Sequence, residues 1–213
     1  MKKYLVIGLG RFGISMAMTL SEEKCEVMVL DKNEEAVMQV RDEVTYALVG
    51  DCTDSIVLEQ IGVRNFDAVI VGIGDSLETS IMTTAILKEL GARYIIAKAQ
   101  NTRHETVLLK VGADKVVRPE RDMGIRLARM LTTETFVDYI ELSPTHSIVE
   151  MKVPSAWVGK SIITLDVRRK FHINILAVKK QNGEIDALPM GDTVFEDKDV
   201  IVILGEKDTL EKL

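Results

Sequence analysis

Three glycines and one later acid have the types and the spacing that could hold a phosphorylated ligand. Gly8, Gly10 and Gly13 follow the pattern G-x-G-x-x-G, and Asp31 ends the next apolar run. The first glycine of such a loop permits a tight turn, the second lets backbone N–H groups approach a diphosphate, and the third lets a helix pack close to a strand. Asp31 can then accept hydrogen bonds from ribose hydroxyls. The pattern predicts nucleotide binding, with a glycine turn kept only for packing as the alternative.

The segments around these residues supply the context that a dinucleotide-binding fingerprint requires. Tyr4–Ile7 is a short apolar run that suits a strand buried on both faces. Met16, Ala17 and Leu20 then fall on one helical face, and Val27–Leu30 is a second apolar run. The order is therefore strand, glycine turn, helix, strand and acid.

Further candidate residues lie in the glycine loop or follow later strands. Arg11 can bind two phosphate oxygens at once, although a solvated loop residue is the alternative. Asp51 and Cys52 are placed to meet an adenine edge, and Gly74 lets backbone approach sugar or phosphate, with ordinary loops as the alternative. The carboxyl ends of strands line the ligand crevice in open α/β sheets. The three runs at such ends are Asp51-Cys52, Ile73-Gly74-Asp75 and Lys98-Ala99-Gln100.

Two more titratable residues lie near the predicted crevice. His104 is near the start of a helix, where a lone histidine is more often a surface or capping residue than a ligand. Glu120 is a carboxylate beside the crevice and, with a triphosphate present, suggests a shared divalent cation. The alternative, which the residues alone favour, is that Glu120 and Asp122 compensate a helix dipole.

Strand and helix patterns alternate six times up to Lys115–Val117, which predicts a Rossmann-like, doubly wound parallel sheet. From Asp138 onward short antiparallel strands with one or two helices, one of them over Ser161–Lys170, predict a small C-terminal α+β domain. We place the boundary near residues 134–138, so that the domains cover residues 1–134 and 135–213.

The segment Pro119–Phe136 predicts a helix with two apolar faces. Met123 and Leu127 lie on one face, and Ile125 and Ala128 lie on another. Such a helix is either deeply buried or contacts two bodies. We favour a crossover helix used in dimerisation over plain burial.

The bulk composition limits the possible partners and compartment. The net charge of −6 gives no electrostatic reason to expect a nucleic-acid partner. Cys25 and Cys52 form no C-x-x-C pattern, which favours a reducing, cytoplasmic location. No run approaches the roughly 18 apolar residues that span a bilayer. The sequence also lacks HExxH, a Walker lysine motif and an ordered nucleophile set, so we expect no enzyme activity.

A set of longer motifs resembles a known family. The sequence is similar to the cytosolic RCK, or KTN, regulatory subunits (TrkA-like) of bacterial Ktr/Trk potassium transporters, and to the Ktr-type gating subunits in particular. The likeness covers nearly the whole chain. The motifs that carry it are GLGRFG (Gly8–Gly13), Asp31, Asp51-Cys52-Thr53, KAQN (Lys98–Asn101), RPERDMG (Arg118–Gly124) and VGKSIITLDVR (Val158–Arg168).

The resemblance implies a homodimer that assembles into a homo-octameric ring and docks on a membrane potassium or sodium transporter at the inner face of the cell membrane. It implies that ATP favours activation, ADP favours inactivation and NAD(H) can also bind. Carried over by motif, Arg11 would contact phosphates, and Asp31, Lys32 and Asn33 would hold the ribose region. Gly8, Gly10, Phe12 and Gly13 of the same loop are carried over as cofactor-binding residues. Asp51 and Cys52 would hold the adenine, and Ile73, Gly74, Asp75, Lys98, Ala99, Gln100 and His104 would complete the pocket.

The resemblance implies two further ligands. Glu120 becomes a ligand of an activating divalent cation, Mg²⁺ or Ca²⁺, near the γ-phosphate and shared across a dimer. The C-terminal domain resembles the part of these subunits that can bind cyclic di-AMP, although Arg169 is bulkier than the small residue expected there. The matching residues are Ile162, Ile163, Arg168, Arg169, His172, Asn174 and Pro189.

Two other classes of function remain open. One is a small NAD-dependent oxidoreductase, for which Asp31 would favour NAD over NADP by repelling the 2′-phosphate. The other is a stand-alone redox or nucleotide sensor. The sequence leaves open which ion is transported and which nucleotide dominates.

Overall fold

The computed structural model describes residues 1–132, 136–210 and 212–213. The chain divides into two compact units, Met1–Glu120 and Arg121–Leu213, which are described separately below. The predicted domain boundary near residues 134–138 overlaps residues 133–135, which lie outside the described part of the chain. The boundary therefore stays a prediction. No helix among the described residues has both the length and the apolar character needed to cross a membrane.

The first unit is a six-stranded parallel sheet with strand order β3-β2-β1-β4-β5-β6. The predicted doubly wound, Rossmann-like sheet is therefore confirmed. The strand order reverses between β1 and β4, and this is the point at which open α/β sheets form their ligand crevice. The strands are β1 (Lys3–Ile7), β2 (Glu26–Asp31), β3 (Tyr46–Val49), β4 (Ala68–Val71), β5 (Ile95–Lys98) and β6 (Lys115–Val117). The helices are α1 (Arg11–Glu22), α2 (Glu34–Val40), α3 (Ser55–Ile61), α4 (Leu77–Glu89), α5 (Thr102–Lys110) and α6 (Pro119–Thr132), the last of which continues into the second unit.

Side-chain caps start the helices that follow the strands. Asn33 accepts hydrogen bonds from the backbone N–H groups of Glu35 and Ala36 at the start of α2. Asp54 accepts one from Ile56 at the start of α3. Because a cap satisfies backbone donors that have no helical partner, each helix begins at a fixed distance from the end of its strand.

Among its described residues, the second unit has a five-stranded antiparallel sheet with order β10-β9-β11-β8-β7, most of α6 and three short α-helices, which confirms the predicted α+β domain. Its predicted helix over Ser161–Lys170 is instead two helices, because Asp166 adopts a left-handed conformation with φ of 50° and interrupts the helical turn. The strands are β7 (Phe136–Glu141), β8 (His146–Lys152), β9 (Asn174–Lys179), β10 (Ile185–Asp186) and β11 (Val200–Glu206). The helices are α7 (Ile162–Leu165), α8 (Val167–Phe171) and α9 (Lys207–Leu210).

One buried ion pair supports the second sheet. The carboxylate of Asp199, which is only 1% exposed, accepts hydrogen bonds from Lys180 Nζ at 2.8 Å and from the backbone N–H of Glu196 at 2.9 Å. Burial alone would lower the pKa of Lys180, but its hydrogen bonds with Asp199 and Glu196 outweigh that effect and raise it above the usual value. The charge of Asp199 is therefore matched inside the fold.

Helix α6 carries an apolar stripe on its surface. Met123, Leu127 and Leu131 are exposed and lie four residues apart, so they share one helical face. Helix α6 covers Pro119–Thr132, and the predicted helix over Pro119–Phe136 is wrong at Phe136, which is the first residue of β7. Residues 133–135 lie outside the described part of the chain.

Candidate functional site

A cavity of about 610 Å³ opens at the carboxyl ends of the strands of the first unit. It lies at the switch point between β1 and β4, where the strand order reverses. Fourteen of the predicted nucleotide-site residues line it: Gly8, Gly10, Arg11, Phe12, Asp31, Lys32, Asn33, Asp51, Cys52, Ile73, Gly74, Asp75, Lys98 and Glu120.

The glycine loop shapes one wall of this cavity. Gly8 has φ of +90°, and a Cβ there would lie 3.0 Å from the backbone nitrogen of Ile73. A Cβ on Gly13 would collide with the carbonyl oxygen of Gly8, so this glycine brings α1 close to β1. At Gly10, in contrast, nothing lies within 4 Å of an added Cβ. The loop therefore leaves open space beside the N-terminus of α1, where backbone N–H groups favour an anion.

The carboxylate of Asp31 connects two walls of the cavity. Its Oδ2 accepts a hydrogen bond from the backbone N–H of Leu9 at 2.5 Å, and its Oδ1 accepts one from Asn33 at 2.8 Å. Each carboxylate oxygen has a further lone pair that can accept from a hydroxyl group. Asp31 thus holds the glycine loop in position and retains the capacity to bind a ribose.

The Asp51–Cys52 segment forms another wall. Asp51 accepts hydrogen bonds from the hydroxyl of Thr53 at 2.7 Å and from its N–H at 2.8 Å, and these hold the pKa of Asp51 below its usual value. Burial raises the pKa of the Cys52 thiol, whose sulfur lies 3.3 Å from the hydroxyl of Thr83. At neutral pH this wall therefore presents a carboxylate beside a neutral thiol.

Lys98 and Glu120 form an ion pair on the cavity wall. Lys98 Nζ donates a hydrogen bond to Glu120 Oε1 at 2.6 Å. This hydrogen bond is the largest cause that lowers the pKa of Glu120, and the positive charge of Arg11 contributes more weakly. The carboxylate is therefore ionised and already has a cationic partner.

The implied divalent cation does not fit the donors of one chain. In the part of the chain that the structure describes, no three His, Cys, Asp or Glu side chains group closely enough to hold a metal ion. Glu120, the predicted ligand, is bound to an ammonium group instead.

Four predicted site residues do not line the cavity. Gly13 packs against the Gly8 carbonyl, and Ala99 is buried. Gln100 and His104 support the wall from behind: Gln100 Nε2 donates to the Gly74 carbonyl at 2.6 Å, and His104 Nδ1 accepts from the Gln100 N–H at 3.3 Å. Burial lowers the pKa of His104 and so favours its neutral form. Their roles as direct ligand contacts stay predictions.

Seven lining residues were not among the predicted ones: Leu9, Leu30, Ala36, Thr53, Gly72, Ser76 and Thr79. Most are small or apolar and carry no chemical signal of their own. Ser76 had one available signal, because it follows the Ile73-Gly74-Asp75 run and caps α4 by accepting from the Thr79 N–H at 3.1 Å.

Six of the seven predicted second-messenger residues of the second unit line two cavities that share Arg168. Ile162, Ile163 and Pro189 line a cavity of about 360 Å³. His172 and Asn174 line another of about 480 Å³, together with His146, which the sequence pattern did not single out. Arg169 lines neither of the two; its side chain is exposed, with Nε 3.8 Å from Asp166 Oδ2.

The fold defines a Rossmann-like protein with a cavity at the switch point of its parallel sheet and a small additional α+β unit. Residues 4–119 match the TrkA-N domain and residues 147–213 match the TrkA-C domain. The chain therefore belongs to the TrkA family of RCK-type proteins, and the predicted resemblance is confirmed.

Named relatives match over almost the full length. The chain is 46% identical to Ktr system potassium uptake protein C of Bacillus subtilis, over 96% of this chain and 92% of that protein. It is 41% identical to protein A of the same system and organism, over 99% of this chain and 95% of that protein. Among solved structures, the GsuK channel matches with a TM-score of 0.71 and 22% identity, over 98% of this chain and 38% of that one, which supports the fold.

Proposed function

We propose that this chain is a nucleotide-sensing regulatory subunit of a potassium uptake system. The observation that carries the proposal is the polar cavity at the switch point of the first unit, in a chain that resembles Ktr uptake proteins along nearly its whole length. No reaction is assigned to the cavity, whose residues bind and orient a ligand.

The ligand that the cavity residues suit best is an adenine nucleotide, ATP or ADP. The N-terminus of α1 and the guanidinium of Arg11 would take the phosphates, while Asp31 would take ribose hydroxyls. Asp51 and Cys52 would meet the adenine edge. NAD(H) offers the same adenosine and diphosphate groups and is the competing ligand.

A nucleotide can regulate a partner only if it binds two shapes of the protein with different affinity. ATP and ADP share every adenosine contact, so discrimination between them has to arise at the terminal phosphate. Arg11 is the candidate contact for that phosphate. The predicted cation has a single candidate ligand from this chain, Glu120, so it would depend on the phosphates and on a second copy of the chain.

We further propose that the chain forms a homodimer, that such dimers build a homo-octameric ring, and that the ring docks on a membrane transporter subunit at the inner face of the membrane. The exposed stripe of Met123, Leu127 and Leu131 on α6 supports the dimer, because burying three large apolar side chains stabilises an interface. Light scattering of Leu127→Glu against wild type tests this step. A change from a larger assembly to monomer supports it.

The second unit is proposed to bind cyclic di-AMP. Its two cavities share Arg168, whose guanidinium suits a phosphate, and the apolar lining by Ile162, Ile163 and Pro189 suits an adenine ring. Calorimetry with cyclic di-AMP on Arg168→Ala checks this proposal.

The central experiment is calorimetry with ATP, ADP and NADH, each with and without Mg²⁺ or Ca²⁺, on wild type and on Arg11→Ala. We expect micromolar or tighter binding of ATP and ADP, weakened about tenfold or more in Arg11→Ala. Arg93→Ala is the matched control, because Arg93 is exposed and does not line the cavity. Tight NADH binding with no response to ATP would contradict the proposal.

A further inference from the structure

Two cavity residues from different elements neutralise each other before any ligand binds. Lys98 is the last residue of β5, and Glu120 belongs to the first turn of α6. Their charged atoms lie 2.6 Å apart, and the Lys98 side chain is only 14% exposed whereas that of Glu120 is 64% exposed. The lysine is therefore fixed and shielded, while the glutamate is free to move towards solvent.

The ammonium of Lys98 lies at the part of the cavity that faces a predicted phosphate or sugar. A Cβ added to Gly74 would be 3.4 Å from Lys98 Nζ, so the ammonium lies over the backbone of the β4–α4 loop. Gln100 holds that loop from the other side through the Gly74 carbonyl. Arg11 is near enough for its charge to act on Glu120. Glu120 thus pairs with Lys98 at a wall of the cavity that Arg11 also lines, a place that a ligand phosphate would also suit.

We infer that Glu120 occupies the phosphate position at Lys98 in the ligand-free chain and that a phosphorylated ligand displaces it. This inference rests on the proposed function and names the contact that responds to the ligand. A shielded ammonium needs a counter-charge, and a phosphate offers more negative charge and more acceptor oxygens than one carboxylate. Because Glu120 belongs to α6, its displacement releases the first turn of that helix from β5.

This inference assigns Glu120 an effect opposite to that of a simple cation ligand. Without divalent cations, Glu120 competes with the ligand, so Glu120→Gln should bind phosphorylated ligands more tightly. A partly exposed ion pair of this kind supports a change of roughly two- to fivefold in affinity. Lys98→Met should weaken binding of the same ligands, because the cation itself is lost.

The experiment is calorimetry in EDTA with ADP and with adenosine as probes. Asp122→Asn is the matched control: Asp122 lies in the same turn of α6, pairs with Arg121 and does not line the cavity. We expect Glu120→Gln to tighten ADP binding but not adenosine binding, and Asp122→Asn to leave both unchanged. In a Lys98→Met background the effect of Glu120→Gln should disappear.

Two other results are decisive. Unchanged or weaker ADP binding by Glu120→Gln, with wild type binding ADP, overturns the displacement and leaves the proposed function standing. A wild type that binds none of ATP, ADP and NADH overturns both. Circular dichroism and the urea midpoint of each variant show whether it is folded. Because the side chain of Glu120 is mostly exposed, replacing its carboxylate by an amide gives no reason for misfolding.

Discussion

Two glycines of the same loop should separate the stability of the fold from the affinity for its ligand. Gly13→Ala adds a Cβ well inside the 3.0 Å that real Cβ contacts essentially never cross, against the carbonyl oxygen of Gly8. That oxygen belongs to the Gly8–Leu9 peptide, whose N–H on Leu9 donates a hydrogen bond to Asp31 Oδ2 at 2.5 Å. Helix α1 therefore has to move away from β1.

The magnitude follows from two opposing effects. Alanine in place of glycine within a helix is favourable by about 1 kcal/mol. Overpacking against atoms that cannot move costs about 1–3 kcal/mol and sometimes more, and the backbone neighbour favours the upper end. We expect Gly13→Ala to lower the free energy of unfolding by about 2 kcal/mol.

Gly10→Ala is the matched variant, for which we expect little change in stability but weaker ADP binding. Its Cβ would have open space around it, so the stability should fall by at most about 1 kcal/mol, the usual difference between glycine and alanine at a helix N-cap. The same methyl group enters the cavity beside the N-terminus of α1, where a diphosphate has to approach the backbone. We therefore expect ADP affinity to fall about tenfold or more.

Urea unfolding followed by circular dichroism measures the first quantity, and calorimetry with ADP measures the second. The reasoning is refuted if Gly13→Ala unfolds at the wild-type urea concentration. It is also refuted if Gly10→Ala is the less stable of the two variants, or if it binds ADP as tightly as wild type.

Two further predictions concern a buried ion pair and a cavity thiol. Lys180→Met should destabilise the second unit by about 3–5 kcal/mol, because it leaves the buried Asp199 without its cation, and urea unfolding measures the loss. Lys179→Met is the control and should cost at most about 1 kcal/mol, because its ion pair is partly exposed; equal losses would contradict the argument. ADP should slow alkylation of Cys52 by iodoacetamide and leave Cys25 unaffected, as measured by mass spectrometry, because only Cys52 lines the cavity. Equal rates with and without ADP at Cys52 would contradict that placement.

The fold of the first unit could be predicted from the sequence because its central strands are buried parallel strands. Such strands have continuous apolar runs, and the predicted runs Tyr4–Ile7 and Val27–Leu30 lie within β1 and β2. The interruption between α7 and α8 could not be predicted in this way. Asp166 adopts a left-handed conformation that leaves no trace in apolar periodicity, and β10 has only two residues.

The sequence predicted most of the residues of the candidate site but not the hydrogen bonds and ion pairs that connect them. Strand ends identify Asp31, Lys98 and Asp51, since the carboxyl ends of parallel strands meet at one edge. The hydrogen bond between Asp31 and the Leu9 N–H joins two loops, and no spacing rule specifies it. The sequence allowed two roles for Glu120, compensation of a helix dipole or binding of a divalent cation. The structure shows a different interaction, an ion pair with Lys98.

Strand register explains why Lys98 and Glu120 meet. Strands β5 and β6 are parallel neighbours, and Lys98 is paired with Val117, three residues before Glu120. The start of α6 is therefore fixed beside the end of β5. A ligand without a phosphate at this point can occupy the adenosine part of the cavity without affecting α6, whereas a phosphorylated ligand has to replace a contact that α6 makes. We therefore expect ADP, but not adenosine, to change the contacts of the first turn of α6. This is the helix whose exposed stripe we propose as the dimer contact.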